Sequence, residues 1–162
     1  MKDRRAPLSF DLEVTARCNH DCRHCFFNLP ASDREARQQE LSPEEILRSA
    51  REAASLGALW CLLSGGEPLL REDFFEIYLG LQRLGLVVSV FTNACLVTPR
   101  HVELFRKYPP RDLEVTVYDA SRETYEEVTR RPGSFAAFRS SLEARRAHNP
   151  KVAGSNPAPA TK

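Results

Sequence analysis

Apolar and polar positions along this chain keep switching between two periods. Residues 9–15 (SFDLEVT) alternate, with Phe10, Leu12 and Val14 on one face, which predicts a strand. A helix follows with clear punctuation: Ser42 is an N-cap, Pro43 takes the first helical position and Glu45 completes a capping box. Ile46, Leu47, Ala50, Ala54 and Leu56 are its apolar positions, and Gly57 stops it. Residues 58–63 (ALWCLL) form a continuous apolar run, the pattern of a parallel strand buried on both faces. Residues 72–84 read as the next helix, closed by Gly85, and residues 86–91 (LVVSVF) as another buried strand. Thr98 and Pro99 open a helix to about Tyr108, and residues 113–118 (LEVTVY) make a fourth strand. Ser121 caps a helix to Arg130; Pro132 and Gly133 interrupt it, and residues 135–147 resume it. Trp60 and the phenylalanines are expected in the core, and the charged segments 33–39 and 122–127 on the solvated surface.

Strand–helix alternation predicts an α/β fold with parallel strands, whose chemistry gathers at the carboxyl ends of the strands. The unusual polar motifs all fall there. CNHDCRHC (residues 18–25) follows the first strand, Gly65, Gly66, Glu67 and Pro68 the second, Thr92 and Asn93 the third, and Tyr118 with Asp119 ends the fourth.

Cys18, Cys22 and Cys25 are spaced C-x3-C-x2-C. Three thiolates this close fit three corners of an iron–sulfur cube and leave the fourth iron open to a small molecule. Zinc is the competing metal, with His20 or His24 inside the same run as a fourth ligand, although no second cysteine pair exists. Three unrelated free thiols are the bland reading. Cys61 and Cys95 lie in or beside apolar runs and read as buried, inert thiols. Gly65 and Gly66 either let the backbone approach a ligand or only turn the chain, and Asn93 either shapes a pocket or turns the chain.

The cysteine run after a first strand, paired with SGGEPLL after a second, resembles the radical S-adenosylmethionine (SAM) superfamily over residues 8–147. The string VYDASRETYEEVTRRPGSF is similar to the peptide-modifying subgroup that carries a C-terminal SPASM domain. The resemblance implies a partial (β/α) barrel. Cys18, Cys22 and Cys25 would ligate a 4Fe–4S cluster, and SAM would chelate the open iron. His24 would lie near the adenine, Gly65, Gly66 and Glu67 would hold the methionyl amine, and Asn93 would help to shape the pocket. Tyr118 and Asp119 would stand where relatives place ribose- or substrate-facing groups, or else pack and cap a strand end. Reduction would cleave SAM to a 5′-deoxyadenosyl radical that abstracts hydrogen, with flavodoxin or ferredoxin as electron donor and a peptide as substrate.

Composition excludes several alternatives. At 162 residues with net charge +1, the chain is one domain without the basic stripe of a nucleic-acid binder. It holds no apolar stretch long enough to span a bilayer and begins without a signal peptide's apolar core, and reduced cysteines point to the cytoplasm. A core domain over residues 8–148 contains about four βα units, fewer than the six of a radical SAM core. The chain is therefore expected to be an N-terminal fragment, with a catalytically inert iron–sulfur- or zinc-binding fragment as the alternative function. Residues 149–162 (NPKVAGSNPAPATK) lack periodicity and read as an unstructured tail. Gly154, Ser155, Asn156 and Pro157 can be encoded by the T-loop consensus of a transfer RNA gene, so read-through into such a gene is expected there, against a natural flexible tail.

Overall fold

The computed structural model describes residues 6–26 and 29–148; the tail expectation for residues 149–162 lies outside them. The chain runs through β1 (Ser9–Glu13), β2 (Arg17–Cys18), β3 (Leu29–Pro30), α1 (Arg34–Gln38), α2 (Pro43–Ser55) and β4 (Trp60–Ser64). After a 3-10 turn at Pro68–Leu70 come α3 (Phe74–Arg83), β5 (Val87–Thr92), α4 (Pro99–Lys107), β6 (Leu113–Val115), α5 (Arg122–Thr129) and α6 (Ser134–His148). The main sheet has the order β1-β4-β5-β6, with every pair parallel. A separate pair, β2 with β3, is also parallel and sits at the base of the cysteine run. This is the parallel α/β arrangement that the alternation predicts and the partial barrel that the resemblance implies.

Local chemistry explains the helix starts. Ser42 Oγ accepts from Glu45 N at 3.3 Å, while Ser42 N donates to Glu45 Oε2 at 2.9 Å, the reciprocal capping box read from the sequence. Thr98 N donates to His101 Nδ1 at 3.1 Å and starts α4 in a related way. The register pairs Phe10 with Cys61 and Leu12 with Leu63, then Cys61 with Val88 and Leu63 with Val90. These side chains pack against Ile46 and Ala50 of α2 and Phe74, Ile77, Tyr78 and Leu81 of α3 to form the main core. The α3 residues recur at helical spacing, so one stripe of the helix is buried. A smaller cluster of Ala94, Tyr125 and Phe138 joins α5 and α6 to the end of the sheet.

The structure corrects the sequence on three points. The strands are covered on one face only. Trp60 is 37% exposed, Phe91 is also exposed, and both line a shallow groove of about 180 Å³ with Asp11, Leu62, Ser89 and Glu114. Helices lie only on the Cys61–Leu63 side, so an apolar run alone does not tell one covered face from two. The charged segment 33–39 is solvated surface as expected, with none of the residues of its helix buried, and it is organised as α1, capped by Asp33 Oδ1 accepting from Ala36 N. α3 starts two residues later than predicted, because the 3-10 turn and the Arg71–Asp73 ion pair occupy the segment before it. β6 stops at Val115, and the chain then turns toward α5 with Tyr118 half-buried. No helix among the described residues is long and apolar enough to cross a membrane.

Candidate functional site

Because all four strands are parallel, their carboxyl ends share one rim, and the loop bearing the three cysteines lies on it. Two sets of contacts hold the loop. At its base, the chain leading to Cys18 is pressed onto the glycine turn after β4: Gly66 N donates to Thr15 O at 2.7 Å and Glu67 N to Arg17 O at 2.9 Å. A Cβ at Gly65 would meet Thr15 O at 2.3 Å, and one at Gly66 would meet Arg17 O at 2.3 Å. Gly65 also has φ +131°, in the region open to glycine. The glycines therefore serve a close approach of protein backbone to protein backbone, with the cysteine-bearing strand as the partner. At its far side the loop uses the end of α5, whose last carbonyls lack helical donors. Asp21 N donates to Thr129 O and Arg23 N to Val128 O, each at 3.0 Å. The Arg23–Glu127 and Arg130–Asp21 ion pairs flank this junction in solvent.

Glu67 is fully buried, and its carboxylate is committed to the protein. Oε1 accepts from Leu69 N at 3.0 Å and from Thr92 Oγ1 at 2.7 Å, and Oε2 accepts from Asn93 N at 2.8 Å. Burial raises its pKa above the usual carboxylate range, against the pull of those donors. Its observed partners are thus the 3-10 turn and the end of β5. Asn93, held in this way, turns its side chain to the cysteine loop. Its Nδ2 donates to Asn19 Oδ1 at 2.8 Å and lies 3.8 Å from Cys18 Sγ.

Cys18 and Cys22 are buried, Cys25 is half-buried, and all five cysteines are free thiols. Burial pushes Cys18 up to about 11, and the neighbouring Glu67, Cys22 and Cys25 add to the rise while the His20 N–H opposes it. Cys22 Sγ lies 3.2 Å from Tyr118 Oη. Among the described residues no three His, Cys, Asp or Glu side chains converge on a metal-binding point. The donor set nevertheless fits an iron–sulfur group. Three thiols hang from one loop whose contacts to α5 and to the glycine turn run through backbone atoms, so none of the three sulfurs is used to hold the loop to those two supports.

The zinc alternative turns on the two histidines of the run. His20 is buried, pushed down to about 4 by burial and by Arg131, and its Nε2 has no partner among the described residues. His24 is exposed, with its ring edge-on to Tyr118 at 5.2 Å. Of the remaining cysteines, Cys61 is in the core as expected, while Cys95 is only half-buried, its Sγ 3.4 Å from Ser134 O. Asp119 Oδ1 accepts from Ser121 N at 2.6 Å and shapes the turn into α5.

Sequence reasoning missed the polar clasp beneath the loop. Arg17, buried beside Cys18, forks onto Glu40 at 2.8 and 3.1 Å and donates to Ala31 O, and Thr15 Oγ1 also binds Glu40. Buried Arg71 donates to Val14 O at 2.8 Å and Leu41 O at 2.9 Å, and pairs with Asp73. Single charged residues carry no period, and only their placement beside the two motifs hinted at these roles.

Three comparisons bear on this arrangement. The chain is 37% identical over 138 residues to an AdoMet-dependent heme synthase of Methanosarcina barkeri, covering 85% of this chain and 39% of that protein. It is 35% identical over 130 residues to a probable GTP 3′,8-cyclase of Methanothermobacter marburgensis, covering 79% of this chain and 41% of the relative. It thus spans about two fifths of the length of these curated relatives. Among solved structures, anSMEcpe with bound AdoMet superposes with a TM-score of 0.68 at 17% identity, covering 88% of this chain and 41% of that one. Streptococcus suis SuiB bound to precursor peptide SuiA gives 0.68 at 22%, covering 86% and 31%. The pattern of the Radical SAM superfamily matches residues 12–155. With the family pattern over most of its length and the family's partial barrel as its fold, this chain belongs to the radical SAM superfamily.

Proposed function

We propose that residues 8–148 are the S-adenosylmethionine-cleaving core of a radical enzyme with a peptide as its substrate class. The observation that supports this is that Cys18, Cys22 and Cys25, all free thiols, share one loop at the carboxyl rim of a parallel sheet, beside the Gly65–Gly66–Glu67 turn. These cysteines would hold a 4Fe–4S cluster. When bound, that cluster supplies the electron that cleaves S-adenosylmethionine to a 5′-deoxyadenosyl radical for hydrogen abstraction.

The chain's own residues do the positioning. Gly65 and Gly66 bring the loop down onto the sheet, and Glu67 fixes the end of β5 so that Asn93 faces Cys18. Backbone groups of the 65–67 turn remain the candidates for the methionyl amine, since the Glu67 carboxylate is used internally. His24, exposed on the loop with its ring edge-on to Tyr118, would meet the adenine ring. A flavodoxin or ferredoxin would supply the electron. The peptide reading draws support from solved neighbours bound to peptides and from a 28% identical PqqA peptide cyclase of Methylocella silvestris.

The test is anaerobic reconstitution followed by dithionite reduction in the presence of S-adenosylmethionine. Formation of 5′-deoxyadenosine is expected. A loaded cluster without cleavage would leave the chain a binding fragment, and zinc uptake with no iron would replace the reading by a zinc module.

A further inference from the structure

We propose that Tyr118 is a positioning residue that donates its phenolic hydrogen bond to the Cys22 sulfur and so sets the reduction potential of the iron–sulfur group that this sulfur would hold. The inference rests on the iron–sulfur reading above and concerns a residue to which that reading gives no contact with the group.

The geometry is specific. Tyr118 lies three residues beyond the end of β6, and its Oη is 3.2 Å from Cys22 Sγ. Its ring is wedged between two others: His24 of the cysteine loop, edge-on at 5.2 Å, and Tyr125 of α5, edge-on at 5.5 Å. Tyr125 is fully buried and stacked on Phe138 of α6 at 5.3 Å, so the wall behind Tyr118 is rigid. The next residue fixes the backbone, since Asp119 Oδ1 accepts from Ser121 N. On the other side, Cys22 is buried, and its carbonyl accepts from Cys25 N at 3.0 Å. Both partners are held from several directions.

In the free thiol either atom could donate. A sulfur bound to iron has lost its proton and can only accept, so the phenol must then be the donor. A hydrogen bond to a ligand sulfur draws electron density from the metal and favours the reduced, more negative state. Losing that bond therefore lowers the potential, and strengthening it raises the potential.

The test is an EPR-monitored redox titration of the full chain after anaerobic reconstitution, with iron content measured alongside. It compares the wild type, Tyr118→Phe, and a chain carrying 3-fluorotyrosine at position 118, whose hydroxyl is a stronger donor. The expected result is equal iron content, a midpoint shifted negative in the phenylalanine variant and shifted positive in the fluorinated one. Opposite shifts are a signature that packing loss does not give. Full iron with unchanged midpoints, or with both shifts in one direction, overturns the inference and leaves the iron–sulfur reading standing. Iron loss in Tyr118→Phe with an unshifted fluorinated chain likewise overturns it, and assigns the ring to support alone. Failure of the wild type to take up iron overturns both.

Discussion

At the scale of residues, the glycine pair and its acidic neighbour act on the protein before they act on any ligand. Gly66→Ala places a methyl 2.3 Å from Arg17 O, a backbone atom that cannot yield without lifting the cysteine strand. That variant is expected to lose about 3 kcal/mol of stability by overpacking, read by urea denaturation, and to load less iron; unchanged values would mean the contact is not maintained. Glu67→Gln keeps the shape but turns one acceptor into a donor facing groups that already donate. It should cost about 2 kcal/mol and release Asn93 from Cys18. Cys61 gives a pH test independent of any metal. Burial, helped by Asp11, pushes its thiol from 9.0 up to about 12. A raised folded pKa means the contribution is whole below the unfolded value and is lost as pH climbs through the folded one. The metal-free chain should therefore lose stability progressively between about pH 9 and about pH 12. Cys61→Ala should show a shallower alkaline decline in thermal melts; an equally steep decline would assign it to other groups.

At the scale of elements, the cysteine loop is a span supported at both ends. Arg17 on Glu40, and Arg71 on Leu41 O and Asp73, bind its root to the link between α1 and α2 and to the segment before α3, and the open carbonyls of α5 bind its far side. Arg71→Met should cost about 3 kcal/mol, because it leaves the Val14 and Leu41 carbonyls without donors inside the protein. Chemical denaturation measures this, and a loss below about 1 kcal/mol would show that water replaces the guanidinium. The elements differed in how far the sequence revealed them. α2 was legible to its cap, because Ser42, Pro43, Glu45 and Gly57 each carry local meaning. β2, β3 and α1 were not, since two-residue strands and one short charged helix have no period to detect. The three cysteines stood out in the sequence by their spacing, and the structure sets them on one loop. The committed role of Glu67 inside the protein was hidden, because burial of a carboxylate depends on donors from β5, far away in sequence.

At the scale of the whole molecule, one side of the sheet carries the helices and the other carries Asp11, Trp60, Leu62, Ser89, Phe91 and Glu114 toward solvent. Trp60 is the chain's only tryptophan, with the Arg111 guanidinium 5.3 Å from its ring centroid. Its emission should be accessible to acrylamide in the folded chain, and blue-shifted, unquenchable emission would show that the face is covered. The same half-barrel brings every carboxyl strand end to one rim, which is why motifs some twenty-five to seventy-five positions apart, such as Cys18, Glu67 and Asn93, meet.

If the three thiols on this loop bind the proposed iron–sulfur group, the iron and acid-labile sulfide content of the anaerobically reconstituted chain will show it. About four of each per chain is expected for a cube, retained in Cys61→Ala and Cys95→Ala and lost in Cys18→Ala, Cys22→Ala and Cys25→Ala. Zinc in place of iron, or full iron in any of the latter three variants, would contradict the account.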